Sequence, residues 1–196
     1  MTTRSATVER KTAETDIRAS LNLDGAGTVN VSTGIGFLDH LMTALGKHAG
    51  FDLELTCKGD LDVDDHHTAE DCAIVLGQAI DQALGERRGI TRFGWSLVPM
   101  DEALARAAID FSGRGLATVE LGLSRFPLGA LQSENVPHFV ESLARTAGAT
   151  IHLDVLKGDN NHHRAEAGFK ALALAIRQAV ALTGRDDIPS TKETLA

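Results

Sequence analysis

Between Thr15 and Asp24 the chain alternates: Ile17, Ala19, Leu21 and Leu23 are apolar, and Arg18, Ser20 and Asn22 between them are polar. A period of two sets one face of an extended strand against a core and the other in water. "SATVERKT" before this stretch and "TVNVST" after it read as two further strands, with turns at Gly25 and Gly27. Over "GFLDHLMTALGKHAG" the period lengthens. Phe37, Leu41, Ala44 and Leu45 share one helical stripe, and Gly50 stops the helix. "DLELTCKG" returns to alternation and predicts a strand. A long helix follows from His66 to about Glu86, with Asp65 as N-cap and Cys72, Ala73, Leu76, Ile80, Ala83 and Leu84 as its buried face.

The same order then recurs. "GWSLVP", "ARAAIDFS" and "ATVELGL" predict strands, "VPHFVESLARTAGA" a helix and "TIHLDVLKG" a strand; a last helix runs from His162 to about Thr183, with Asn161 in the capping place of Asp65. Self-similarity supports the repetition. At an offset of 96, His66–Ile80 and His162–Ile176 agree at seven of fifteen positions. Asp39-His40-Leu41 parallels Pro137-His138-Phe139 at an offset of 98, and Glu14, Arg18 and Gly25 parallel Glu102, Arg106 and Gly113 at 88. The predicted fold class is therefore α+β, a duplicated βββαβα module with sheet packed on helices in two pseudo-symmetric halves. The halves are 1–88 and 89–196, joined around Gly89, and the tail "GRDDIPSTKETLA" returns from the last helix as a loop.

What the duplication repeats most faithfully is chemistry. "HHTAE" at His66–Glu70 and "HHRAE" at His162–Glu166 each open a predicted helix, and each is preceded by a histidine on the helix before it, His40 or His138. In either motif the first histidine and the glutamate are four residues apart and the second three, so either imidazole can share a metal ion with the carboxylate. Imidazole and carboxylate without thiolate suit Mn, Fe, Zn or Ni rather than a cysteine-rich structural zinc site. The order differs from HExxH, so a protease-like base between two ligands is not implied. A single pair of exposed histidines at a helix start would mean little, but six of the eight histidines fall into this one repeated pattern. His152 reads as a strand or surface histidine. His48 lies about two turns beyond His40 and can face the same site. Eight ligands fit two ions with open positions; if one ion takes His40 and Glu70, symmetry gives the other His138 and Glu166.

Composition narrows the partners. A hydrophobic fraction of 43% over 196 residues suffices for a sizeable core. No apolar run approaches the roughly 20 residues of a membrane span, and "MTTRSATVERK" lacks the apolar centre of a signal peptide, so a soluble cytoplasmic protein is expected. Cys57 and Cys72 are too few for a disulfide framework and read as buried thiols. A net charge of -8 disfavours nucleic acid and anionic membrane, and 4% aromatics with no tyrosine disfavour a base-stacking platform. A dinuclear hydrolase activating a bridging water and a metal-storage protein both remain compatible with the ligands; basic residues able to hold a phosphate weigh against storage.

"STGIGFLDHL", "DDHHTAEDCAI", "VPHFVESLA", "NNHHRAEAGFKALA" and "PSTK" together resemble the imidazoleglycerol-phosphate dehydratase family, over about Arg10 to Leu195. The resemblance implies a lyase of histidine biosynthesis that removes water from imidazole glycerol phosphate to give imidazole acetol phosphate. It also implies two Mn2+ per active site and a homo-oligomeric cage of about 24 subunits with sites between them. Carried over, the metal ligands are His40, His66, His67, Glu70, His138, His162, His163 and Glu166. Catalysis falls to Glu14, which contacts substrate and transfers protons, with His67, Glu70, His163 and Glu166. The phosphate is held by Arg92, Arg114, Lys170, Ser190 and Lys192. Family tails continue S-T-K-G, whereas Glu193 stands here in the last place.

The implied reaction explains so large a ligand set. The proton to be lost adjoins the imidazole ring but no carbonyl, so no enolate can absorb its charge. Lewis acids on both ring nitrogens would favour imidazolate, whose electrons expel the neighbouring hydroxyl, while Glu14 moves protons to and from the departing oxygen. One ring has two nitrogens, and a doubled motif supplies two metals.

Overall fold

A computed structural model describes residues 4–195. In the first half, β1 (Ser5–Lys11) and β2 (Thr15–Asn22) form an antiparallel hairpin with Val8 opposite Ala19. β4 (Asp52–Gly59) adds antiparallel to β2, and β3 (Val29–Ser32) lies parallel to β4, giving the order β1-β2-β4-β3. Parallel neighbours cannot be joined by a tight turn, and α1 (Gly36–Ala49) supplies the crossover from β3 to β4. α2 (His66–Leu84) closes the half.

The second half repeats every step: β5 (Phe93–Met100), β6 (Ala103–Asp110), β7 (Leu116–Glu120), α3 (Asn135–Ala147), β8 (Thr150–Lys157) and α4 (Asn161–Val180), with sheet order β5-β6-β8-β7. The expected duplicated α+β module is present, and residues 85–92 connect α2 of the first half to β5 of the second. Residues 1–3 and 196, at the outer limits of the two expected domains, lie outside the described residues.

The alternating burial of β2 and β6 explains the layering. Ile17, Ala19 and Leu21 in one half, and Ala105, Ala107 and Ile109 in the other, are almost wholly buried. Helices cover that face of each sheet, α2 on β1 and β2, α4 on β5 and β6. The helices also pack across the duplication: α1 meets α4, and α2 meets α3. Gly77 allows the second crossing, because a Cβ there would collide with Thr146 and the Leu143 carbonyl. This crossed pairing positions the site, since each helix of one half faces the non-equivalent helix of the other.

Local details amend several sequence expectations. The β1–β2 turn lies at Thr12–Glu14, and Gly25 and Gly27 serve the β2–β3 connection. Asp65 makes no capping hydrogen bond to α2; the carboxylate of Asp64 accepts from the His66 amide at 2.8 Å, and Asp65 instead accepts from the Gln132 amide at 2.6 Å. At α4 the cap is Asn160, which accepts from the amides of His162 and His163, while Asn161 holds the Ser124 loop. At α4 the cap sits one residue earlier than predicted, where the Asn160 oxygen reaches the amides two and three residues on; at α2 the N-cap position is Asp65, as predicted, but the side-chain bond comes from Asp64. Gly50 ends α1 with φ of 78°, as a left-handed cap requires. Leu38 and Met42 join the α1 core, whereas Phe37 is only half-buried. Cys72 is buried, but Cys57 is half-buried; both are free thiols.

Candidate active site

The crossed helix pairs create two clusters. On α1 and α4, Nε2 of His40 lies 3.0 Å and Nε2 of His162 3.1 Å from the same Glu166 oxygen. On α2 and α3, Nε2 of His66 and of His138 lie 3.9 Å and 3.5 Å from the two oxygens of Glu70. Within each cluster the ligating atoms come within 4.8 Å of one another. The four-residue spacing thus prevails in both motifs, because successive residues on a helix point about 100° apart and only one histidine of each pair can share the face of its glutamate. His40 goes with Glu166 and His138 with Glu70, so within one chain the grouping of His40 with Glu70 that symmetry left open is not the one formed: helices from opposite halves meet, α1 with α4 and α2 with α3.

His67 and His163 join neither cluster. Nδ1 of His67 is 3.0 Å from Asp60, and its Nε2 is 3.6 Å from Glu14. Nδ1 of His163 is 2.7 Å from Glu102, and its Nε2 is 3.6 Å from Asp101. The carboxylate beside each ring raises its pKa. Two backbone amides, of Asp159 and Asn160, together with His163, hold the Glu102 carboxyl down at about 2.

The clusters differ in their cations. Lys170, one turn beyond Glu166, places its ammonium 2.7 Å from that carboxylate. Burial pushes the Glu166 carboxyl up, but the hydrogen bonds from Lys170 and His40 outweigh it and set the pKa at about 2. At Glu70 the cation is Arg145 of α3, 3.2 Å away. Asn135 accepts from Nδ1 of His66 at 3.0 Å, turning the Nε2 of that ring toward Glu70. Nε2 of His138 is buried with no hydrogen-bond partner. Two imidazoles, one of them with this orphaned buried nitrogen, and a carboxylate form a donor set that fits a divalent cation such as Mn2+. His48 sits beside the Glu166 cluster, where partial burial and the Lys170 charge lower its pKa, and His152 is exposed on β8.

The expected phosphate residues are dispersed. Lys170 lies in the Glu166 cluster. Arg92 donates Nε to Asp110 at 2.7 Å and Nη1 to the Pro189 carbonyl at 2.8 Å, fixing the tail to the end of β6. Its amide bonds Ala179, which puts it about 25 Å along α4 from His162. Ser190 accepts from the Lys192 amide at 3.2 Å within that tail. Glu193 adopts φ of 57°, the left-handed backbone that a glycine takes readily. Arg114 is exposed on the loop after β6. One chain therefore does not assemble the whole set.

Sequence reasoning overlooked Asp60, Asn135 and Arg145, and gave Glu102 no role. Arg145 follows His138 by seven residues, two helical turns, and that spacing was a usable signal. Asp60 reaches His67 from the β4–α2 loop and Asn135 reaches His66 from the start of α3, across the packing of two helices, so neither carries a local signal.

Fold and clusters together define a duplicated α+β protein with two like imidazole–carboxylate centres, neither sharing a carboxylate with the other. A family model of imidazoleglycerol-phosphate dehydratase matches residues 33–176. The imidazoleglycerol-phosphate dehydratases of Candida glabrata and Chlorobaculum parvum are each 54% identical, spanning 97% and 100% of this chain and 100% of their own. Crystal structures of the enzymes from Staphylococcus aureus and Pyrococcus furiosus superpose with TM-scores of 0.80 and 0.82 at 32% and 36% identity. They cover 91% and 96% of this chain, and 99% and 100% of theirs. The chain belongs to the imidazoleglycerol-phosphate dehydratase family and is a carbon–oxygen lyase, a hydro-lyase of histidine biosynthesis.

Proposed function

We propose that this chain dehydrates imidazole glycerol phosphate to imidazole acetol phosphate in a metal-dependent reaction, with two Mn2+ per active site. The paired clusters carry the reading: two equivalent, separate centres match the two nitrogens of one imidazole ring better than they match a bridging water, which would want a shared carboxylate. When bound, the ions supply Lewis acidity to the ring. His40, His162 and Glu166 would hold one, and His66, Glu70 and His138 the other. His67 and His163 turn their Nε2 atoms away from their own clusters and would serve centres of another copy.

Glu14 stands beside His67 and is the acid–base group at the substrate carbon chain, positioned to hold or release a proton as the hydroxyl departs. Arg114, Lys192 and Ser190 would grip the phosphate, with Arg92 fixing the tail that carries two of them and Lys170 adding charge.

A homo-oligomer of about 24 copies would bring these dispersed groups together between subunits. Support comes from the solvent face of edge strand β5, where Phe93, Trp95 and Leu97 are 48%, 67% and 58% exposed, an apolar stripe of the kind that subunit contacts cover. No helix of the described residues is long and apolar enough to cross a membrane, and we place this biosynthetic step in the cytoplasm.

Turnover of imidazole glycerol phosphate, followed by ultraviolet absorbance of the enol form of the product, tests the activity. Product formation that requires Mn2+ is expected; full turnover in a rigorously metal-free preparation would overturn the metal role.

A further inference from the structure

The second histidine of each motif is held in the same manner by carboxylates that the duplication does not relate. Asp60 comes from the β4–α2 loop of the first half, and its Oδ2 takes Nδ1 of His67 at 3.0 Å. Glu102 comes from the β5–β6 turn of the second half, and its Oε2 takes Nδ1 of His163 at 2.7 Å. By chain position the equivalent of Glu102 is Glu14, which lies near Nε2 of His67 instead. Both rings are nevertheless engaged at Nδ1, and both Nε2 atoms are 3.6 Å from the nearest carboxylate, beyond hydrogen-bond distance.

A carboxylate at Nδ1 accepts the ring proton, so it stays on Nδ1 and the lone pair is left on Nε2. Only that tautomer can ligate a cation through its outer nitrogen. Glu102 is itself fixed, because its Oε1 accepts from the amides of Asp159 and Asn160 at 3.2 Å and 3.0 Å, leaving Oε2 for the histidine. Asp60 keeps its Oδ1 buried and unpartnered, so its one bond through Oδ2 sets its orientation.

We infer that Asp60 and Glu102 are positioning residues that lock His67 and His163 as Nδ1–H tautomers, each presenting Nε2 to a metal ion. The inference rests on the metal reading above and assigns a task to two residues outside the ligand set. Carboxylates behind metal-bound histidines raise ligand basicity, and their loss weakens metal affinity by about 10- to 100-fold.

The test uses the whole assembled protein with 15N-labelled histidine. Solid-state 15N spectra of the metal-free form count Nδ1–H and Nε2–H rings among the eight histidines, and Mn2+ titration measures affinity. Asp60→Ala and Glu102→Ala should each move one ring from Nδ1–H to Nε2–H. Each should also weaken Mn2+ binding by about 10- to 100-fold at the centres that the altered histidine serves. Asp60→Asn and Glu102→Gln, which keep a carbonyl acceptor, should restore the tautomer and most of the affinity. Variants that retain both the parent spectrum and the parent affinity overturn the positioning role. A parent protein that takes up no Mn2+ overturns the metal reading instead, whatever the tautomers. Should either alanine variant fail to fold, the amide variants carry the test: the weaker acceptor should give a smaller but measurable drop in Mn2+ affinity, and parent affinity there overturns the role.

Discussion

The Glu166 and Glu70 centres contain the same three ligand types, yet one carboxylate is closely partnered and the other loosely. Glu166 has a side chain only 11% exposed, with two imidazoles and Lys170 gathered around it. Glu70 is 28% exposed, its imidazoles stand farther off, and the orphaned Nε2 of His138 faces inward. The difference lies outside the ligands. Lys170 has Ile74 as its counterpart in the first motif, and Arg145 has Lys47 as its counterpart on α1. Each centre has therefore recruited its cation from a different helix. Duplication preserved the two imidazoles and the carboxylate of each centre while the surroundings diverged, as expected if both centres act on the one asymmetric ligand proposed above.

The largest expected effect removes what the centres share. Chelation should abolish turnover, and Mn2+ should restore it better than Mg2+, which prefers oxygen ligands; activity assays on chelated and reconstituted protein decide this. The next asks whether the centres act as one unit. Glu70→Gln and Glu166→Gln are nearly isosteric, so folding should survive. Each should lose activity by orders of magnitude, with the double variant little worse than the poorer single one. Metal counting alongside turnover checks it, and near-normal turnover in one metal-depleted variant would reduce that centre to a structural role.

Much of this was readable from residues alone. Period gave every strand and helix because each half buries one sheet face against amphipathic helices, and repetition of HHxAE marked the ligand types. The pairing of His40 with Glu166 was not readable. It depends on α1 packing against α4, and periodicity says which face of a helix is buried without saying which helix covers it. α2 starts at His66 as expected and α4 one residue early, at Asn161; what period could not choose was the capping side chain, because Asp64-Asp65 and Asn160-Asn161 each offer two, and loop contacts of Asp65 and Asn161 decide between them. Asp60 and Glu102 act through loops, where no period operates.

A third measurement compares the centres without metal. Glu166, with a pKa of about 2 against an ordinary 4.5, binds its proton less readily folded than unfolded. Its contribution to stability is therefore present above about pH 4.5 and lost as pH falls toward 2. In metal-free protein, Glu166→Gln should cost on the order of 2 to 3 kcal/mol near neutrality, and the gap from the parent should close in acid. Glu70→Gln should cost less, because its carboxylate is more exposed and its partners lie farther away. Denaturant unfolding at several pH values measures both, and equal costs would show that the close and loose partnering of the two carboxylates are energetically alike.

The smallest effect concerns a feature that only one half carries. Arg4 and Arg92 occupy equivalent positions just before β1 and β5, and each grips an aspartate and a carbonyl at or beyond the end of α4: Asp24 and Val180 for Arg4, Asp110 and Pro189 for Arg92. The loops that follow β2 and β6 diverge, Asp24-Gly25-Ala26-Gly27 against Ser112-Gly113-Arg114-Gly115, so the first half has no counterpart of Arg114. If the second half alone holds the phosphate, Arg114→Ala or Lys192→Ala removes a charge-assisted hydrogen bond worth about 1.5 to 3 kcal/mol. Substrate affinity should fall about tenfold or more while metal content stays normal. Arg4→Ala should leave substrate affinity at the parent value, since its guanidinium is spent on Asp24 and Val180. Equilibrium binding of substrate to the three variants separates the outcomes. Parent affinity in both Arg114→Ala and Lys192→Ala would place the phosphate elsewhere, whereas a loss in Arg4→Ala matching theirs would mean that both halves bind it and that the divergence of the two loops has no bearing on the substrate.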